Sequence, residues 1–301
     1  AQRQVDGAGL RVLTQTVTSP TLGAQLAALL AAYPKAKWHQ WEPAGRDAVR
    51  AGARLAFGRP VETRYDLGAA DVVVSLDSDL LASGPDSVRN AKAFSARRRL
   101  VDGKTETSRF YAVEVSPTPT GTLADHRLPL RASLLPAFAQ ALAAALGLPA
   151  FAAPAGLGEQ AAALAAAAAR DLRGAAGRSV VVAGEFAPPE VHAAAHSINE
   201  ALGNVGKTVF LTEPVEAEPV DQLASLRELV EDVKAGSVEL LLILGGNPVY
   251  DAPSDLAFGE ALLKAGLTVA LASHPDETTR YCHWAVPMAH DLEAWSDARS
   301  L

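Results

Sequence analysis

The chain has 301 residues, 49% hydrophobic and 20% charged, which excludes a disordered polypeptide and leaves room for two domains with proper cores. A net charge of −7 with no basic stripe excludes nucleic acid and anionic membrane surfaces as charge-matched partners. The single cysteine, Cys282, excludes an internal disulfide, a CxxC zinc site and a cysteine-ligated cluster within these residues.

Short β-rich runs alternate with longer Ala/Leu-rich runs along the chain. The predicted strands are Leu10–Thr14, Lys37–Trp41, Val72–Leu76, Phe110–Val115, Ser179–Ala183, Thr208–Thr212, Glu239–Leu244 and Leu267–Ala272. The predicted helices are Thr21–Ala32, Gly45–Phe57, Pro85–Arg98, Leu134–Leu146, Glu159–Arg173, Glu190–Leu202, Leu223–Ala235 and Ser254–Ala265. Continuous apolar strands separated by helices predict parallel sheets covered on both faces. The fold expected is therefore α/β, with two Rossmann-like doubly wound units and mainly parallel sheets covered by helices. The Pro/Gly-rich stretch Leu146–Gly158 sets the expected boundary, giving units 1–150 and 151–301. The Ala-rich run that follows reads as a packed or connecting helix. Pro214 and Pro219 mark a loop, and Arg97-Arg98-Arg99 reads as a solvated helix end. Met288 is the only methionine and residue 1 is Ala, so a piece of a longer polypeptide is expected. No signal-peptide pattern and no run of apolar residues long enough to span a membrane is read in these residues.

Open α/β sheets bind ligands beyond the carboxyl ends of their strands, so the strand-to-helix loops are the places for chemistry. Gly245-Gly246-Asn247-Pro248 follows the run "LLIL". Its glycines permit close backbone approach and its amides suit an anion, but a bare tight turn fits equally well. Asp77-Ser78-Asp79 follows the third strand. Two carboxylates there suit a metal or acid–base work, yet an Asx turn and a cap for the next helix is the preferred reading. The densest polar stretch holds Asp276, Glu277, Cys282, His283, His290, Glu293 and Asp297 without an H-x-x-x-H or H-E-x-x-H spacing, so no metal site is assigned. Cys282 sits in an apolar context and reads as inert. No G-x-S-x-G, P-loop or G-x-G-x-x-G is present, which removes the main support for hydrolase, NTPase and nicotinamide readings.

Several stretches together resemble the molybdopterin oxidoreductase superfamily. They are "ILGGNPVYDAP" with "LTVALASHPDETTRYCHWAVPMAHDLEAWSDA", then "YAVEVSPTPTGTLADHRLPLRAS", and "GRSVVVAGEFAPPEVHAAAHSINEALGNVG". They cover most of residues 8–297 in family order. The stretches "TVTSPTLGAQLAALLAAYPKAKWHQWEP", "ADVVVSLDSDLLASGP" and "SPTPTGTLADHRL" look most like the large iron–sulfur subunit of alternative complex III, a quinol-oxidising respiratory complex. The resemblance implies that Gly245, Gly246, Asn247, Pro248, Glu277 and Thr278 occupy cofactor-loop positions. It also implies departures. Asp77-Ser78-Asp79 stands where the family has G-x-N-P, Ser116-Pro117-Thr118 replaces D-P-R, and Arg131-Ala132-Ser133-Leu134-Leu135 replaces R-P-G-T-D.

These losses lead to the expectation of a cofactor-free member. It would serve as a scaffold in a membrane-associated respiratory complex, with no catalytic and no metal-ligating residue of its own. Its partners would be an iron–sulfur domain of the same parent chain and haem and membrane subunits, with no nucleic acid. The location implied is the periplasmic side of the inner membrane, by twin-arginine export. One alternative is part of an active oxidoreductase subunit holding bis-molybdopterin guanine dinucleotide. Another is an interaction module without a respiratory link.

Overall fold

The computed structural model describes residues 2–84, 86–101, 103, 106–290 and 292–300. The strands are β1 (Leu10–Thr14), β2 (Lys37–Gln40), β3 (Glu62–Tyr65), β4 (Val72–Leu76), β5 (Arg109–Glu114), β6 (His126–Pro129), β7 (Ser179–Ala183), β8 (Val209–Thr212), β9 (Leu240–Leu244), β10 (Leu267–Ala272) and β11 (Trp284–Pro287). The helices are α1 (Pro20–Ala32), α2 (Asp47–Phe57), α3 (Ser87–Arg98), α4 (Pro119–Thr122), α5 (Leu135–Ala145), α6 (Glu159–Gly174), α7 (Pro189–Ala201), α8 (Gln222–Lys234), α9 (Pro248–Asp251), α10 (Phe258–Leu262) and α11 (Glu277–Tyr281). The fold is α/β, Rossmann-like, with mainly parallel sheets covered by helices.

The chain divides into two compact units, and not at the expected place. Unit 1 is Ala1–Asp47 with Val215–Ser300, and unit 2 is Ala48–Pro214. The stretch 146–158 lies inside unit 2, joining α5 to α6. Leu135, Phe138 and Leu142 of α5 share one core with Ala161, Ala165, Ala168 and Leu172 of α6, and Leu157 is buried with them. A Pro/Gly-rich composition marked a loop correctly, but the apolar faces on both sides of it belong together. The second passage between units falls instead at Pro214–Val215, in the other proline-bearing loop.

Unit 1 carries a five-stranded parallel sheet in the order β11-β10-β9-β1-β2. Successive side chains of a strand face opposite sides. Val12, Leu242 and Leu244 accordingly meet Leu22, Leu26 and Leu29 of α1, while Leu13, Leu241 and Ile243 meet Leu226, Leu229 and Val233 of α8. Each fully buried Leu or Ile of this kind contributes roughly 1.5–3 kcal/mol relative to an exposed one.

Unit 2 carries a four-stranded parallel sheet in the order β6-β5-β4-β7 and an antiparallel pair, β3 with β8. One face of the larger sheet, with Val74, Leu76, Val113 and Val181, packs on α5, α6 and α7. The other, with Val73, Phe110, Ala112 and Val180, takes Phe94 of α3. The Ala-rich α6 is a packed helix, as one sequence reading had it.

The outer edge of β7 is covered by a side chain. Asn199 accepts from the Val181 amide at 3.0 Å and donates to the Val181 carbonyl at 2.7 Å. Asn204 extends the buried network to Ser179 and the Gly177 amide. On the outer strand of unit 1, the Ser225 hydroxyl accepts from the Gln40 amide at 3.2 Å.

Several expectations need correction. The Thr208–Thr212 run does not enter a main sheet. Only Val209 of β8 is buried, and the strand pairs antiparallel with β3, which sequence reading missed. β6 and β11 were missed because both are short edge strands ending in proline, and all of β11 is exposed. The Ser254–Ala265 helix is broken at Ala257, which takes a left-handed φ of 48° between a 3₁₀ turn and α10. Arg97 and Arg98 are not a solvated pair. Arg97 is ion-paired with Asp71, and Arg98 holds Asp125 at 2.7 Å and lies over the Phe94 ring. Pro85, expected to start α3, lies outside the described residues, and Asp86 stands at that N-cap.

Candidate functional site

Strand order locates a crevice in each unit. In unit 1, β1 leads through α1 to β2 on one side, while β9 leads to β10 and β11 on the other. The order reverses between β1 and β9, whose last residues Thr14 and Leu244 are register partners. In unit 2 the reversal falls between β4 and β7, with Leu76 opposite Ala183. Beyond these carboxyl ends an open α/β sheet leaves a gap for ligands.

The unit 1 crevice is bordered by Gly245-Gly246-Asn247-Pro248. Both glycines have positive φ, 76° and 77°, where a side chain would be strained. A Cβ built on Gly245 would meet only Gln15 Oε1 at 3.8 Å, and one on Gly246 would meet Gln15 Cγ at 3.3 Å. Gln15, the exposed residue after β1, is a neighbour that sequence reading did not single out. Among the described residues the amides of Gly246 and Asn247 find no acceptor. Pro248, buried, opens α9.

Asn247 joins this loop to α11. Its Oδ1 accepts from the Thr278 amide at 3.1 Å and the Thr278 hydroxyl at 2.8 Å, and its Nδ2 donates to Glu277 Oε2 at 2.7 Å. The Thr278 hydroxyl also accepts from the Val249 amide at 3.0 Å. The bond from Asn247 holds the exposed Glu277 carboxyl below its ordinary range. The adjacency of β9 and β10 brings together Gly245, Gly246, Asn247, Pro248, Glu277 and Thr278, as a loop locked to a helix start.

The rest of the polar stretch disperses. Asp276 caps α11 through the Thr279 amide at 2.7 Å. His283 Nδ1 stands 2.9 Å from the Thr268 hydroxyl, and His290 bonds locally with the Leu292 amide at 3.1 Å. Asp297 accepts from the Ser19 hydroxyl and from the Thr21 hydroxyl, the latter at 2.6 Å, at the start of α1. Cys282 is half-buried, and burial pushes its thiol up, away from a reactive thiolate. Among the described residues no group of three or more His, Cys, Asp or Glu stands where it could hold a metal ion.

The unit 2 crevice is built differently. Asp77 takes a left-handed φ of 58° directly after β4. Its amide donates to the Val113 carbonyl at 2.6 Å, and its Oδ1 accepts from the Val115 amide at 2.8 Å. Asp79 Oδ1 accepts from the Thr120 amide at 3.0 Å, at the start of α4. Sequence reading had these residues capping the next helix. They cap the loop after the neighbouring strand instead, because β5 lies beside β4 and delivers that loop to their side chains. On the neighbouring strand end, the Gly184 amide extends the β4–β7 ladder by donating to the Leu76 carbonyl at 2.9 Å, and a Cβ on Gly184 would overlap the Asp77 carbonyl oxygen. Gly184 went unnoticed in the sequence. The apolar run "SVVVA" ending in a glycine was its only signal.

No protein-family model matches the sequence. The chain is 29% identical over 268 residues to the menaquinone reductase, molybdopterin-binding-like subunit of Nitratidesulfovibrio vulgaris, an alignment covering 77% of this chain and 38% of that protein. The chain thus spans well under half the length of this curated relative. Among solved structures, acetylene hydratase from Pelobacter acetylenicus superposes with a TM-score of 0.54 at 12% identity, over 88% of this chain and 47% of that one. A chain of the formyltransferase/hydrolase complex from Methylorubrum extorquens gives 0.56 at 15% identity, over 95% and 81%. At these identities the structural likeness concerns the fold alone. Together the findings support a molybdopterin oxidoreductase-like relationship. Among the described residues, no helix is long and apolar enough to cross a membrane.

Proposed function

We propose that this chain is a molybdopterin-oxidoreductase-like module of a membrane-associated respiratory electron-transfer complex of the quinol-oxidising type, acting as a scaffold without a molybdenum cofactor of its own. The similarity to a subunit of a menaquinone reductase supports the respiratory setting. Asp77-Ser78-Asp79 at the unit 2 switch point carries the cofactor-free reading. A dinucleotide sets its phosphates against the loops at a switch point, and here two carboxylates stand directly after β4, which like charge disfavours. A pair of guanine dinucleotides needs both crevices, and unit 2 does not fit its share. The unit 1 loop then persists as an inherited turn. Its glycines supply the left-handed backbone, and Asn247 fastens it to α11.

In this reading an iron–sulfur domain of the parent chain and haem and membrane subunits are the partners, in a complex of the alternative complex III type. The module sits on the periplasmic side of the inner membrane and is held there through those partners. The test is metal and pterin analysis of the full-length parent purified from its source. The expected result is neither molybdenum nor tungsten in stoichiometric amount. Stoichiometric metal with pterin overturns the proposal.

A second reading rests on one observation. The acceptor-free amides of Gly246 and Asn247 favour an anion in unit 1. On that reading the chain is part of an active molybdopterin oxidoreductase subunit, and the same analysis finds pterin.

A further inference from the structure

Asp77 and Asp79 do more than place charge at the unit 2 switch point. In a doubly wound unit the amides that follow the strands beside a switch point are the donors an anion would use. In unit 2 two of these amides belong to the segment after β5, at Val115 and Thr120. Asp77 Oδ1 takes the first at 2.8 Å and Asp79 Oδ1 the second at 3.0 Å. The next amide of α4, that of Gly121, donates to the Thr118 hydroxyl at 2.9 Å. The same segment is fixed from its inner side. Glu114 is buried, accepts from the Thr118 hydroxyl at 2.7 Å and is ion-paired with Arg127. A Cβ on Gly121 would overlap the Glu114 carboxylate, so segment and acid are packed to contact. Thr120 in turn accepts from the Leu81 amide at 3.0 Å, tying the segment back to the one that holds the aspartates.

We infer that Asp77 and Asp79 are built-in anions that order the 115–121 segment and exclude a phosphate ester from the unit 2 crevice. This rests on the proposed function and deepens it. It states why unit 2 rejects a nucleotide cofactor, through like charge and donors already used, and it makes the segment's order independent of any ligand. A phosphate brought to these amides would have to displace two carboxylates held by the same chain, at high effective concentration, and would face their charge in doing so.

The inference is tested by residue-resolved amide hydrogen exchange on the chain with and without inorganic pyrophosphate, in the wild type, D77A, D79A and the isosteric D77N and D79N. Loss of a carboxylate acceptor should speed exchange of its partner amide, Val115 for D77A and Thr120 for D79A, by about tenfold or more. The Asn variants retain an oxygen acceptor and should stay within a few-fold of wild type. Pyrophosphate should leave Val115, Thr120 and Gly121 unchanged in the wild type. Pyrophosphate protection of these amides in the wild type overturns the inference, as does unchanged exchange in both alanine variants. If an alanine variant does not fold, the wild type with pyrophosphate still decides. Metal analysis of the parent is a separate readout. Molybdenum found there would sink the proposed function, whereas pyrophosphate protection here would sink only the assignment to Asp77 and Asp79.

Discussion

The two switch-point crevices are the same topological feature solved in opposite ways. Unit 1 ends its central strand in two glycines with left-handed backbone and leaves the Gly246 and Asn247 amides without acceptors. Unit 2 ends its central strand in Asp77, which also takes left-handed backbone, and spends both carboxylates on amides of a neighbouring loop. A glycine appears in unit 2 as well, but on the partner strand. There Gly184 has no room for a Cβ against the Asp77 carbonyl, whereas a Cβ on Gly245 or Gly246 would meet only the Gln15 side chain. A glycine after a strand therefore has no fixed meaning. Its role depends on what lies across the crevice.

The largest expected effect comes from that glycine. Gly184→Ala places a methyl into the Asp77 carbonyl and should cost about 3 kcal/mol, the upper range for overpacking against unyielding backbone. Gly246→Ala meets only the flexible Gln15 side chain, so its cost should be that of left-handed backbone alone, about 1–2 kcal/mol. Chemical denaturation of the two variants measures the gap. Equal losses would erase the contrast drawn between the crevices.

Acid should weaken unit 2 before unit 1. His196 is buried against Phe57, and burial alone pulls its pKa down to about 4. The folded pKa lies below the unfolded one, so stability is complete above the unfolded value near 6.5. It falls as pH drops towards 4, because the unfolded chain takes a proton that the folded chain refuses. The loss should approach about 3 kcal/mol across that window. His39 in unit 1 is also pulled down by burial, but Glu228 at 4.0 Å opposes the shift. Amide exchange followed from pH 7 to pH 4 should show α7 opening first, and His196→Gln should flatten the profile.

Asn199→Ala should destabilise unit 2 by about 2 kcal/mol, since the amide and carbonyl of Val181 lose their buried partner on the β7 edge. Thermal denaturation checks it. The smallest effect is expected for Asn247→Ala, about 1 kcal/mol, because the loop it fastens is half-buried and water can replace the lost bonds. Faster exchange at the Thr278 amide, with the unit 2 amides unchanged, would confirm that this lock is local to unit 1.

Much of what has a short-range cause was legible in the residues alone. The apolar runs "VVVSL" and "SVVVA", buried on both faces, and "LTVALA", buried at alternate residues, became strands at their expected bounds. The Ala/Leu runs became helices through their own propensity. Gly245–Pro248 was legible as a loop because its glycines act within their own residues. Packing settled the features that depend on residues far apart in the chain. The division into units turned on which apolar faces meet, which returned the 146–158 loop to the interior of unit 2. Strand order, invisible in a list of strands, placed the switch points and brought Asn247 to Thr278. The role of Asp77-Ser78-Asp79 followed the same rule. A carboxylate caps whatever amide packing delivers to it, and here β5 delivered Val115 and Thr120 from across the sheet.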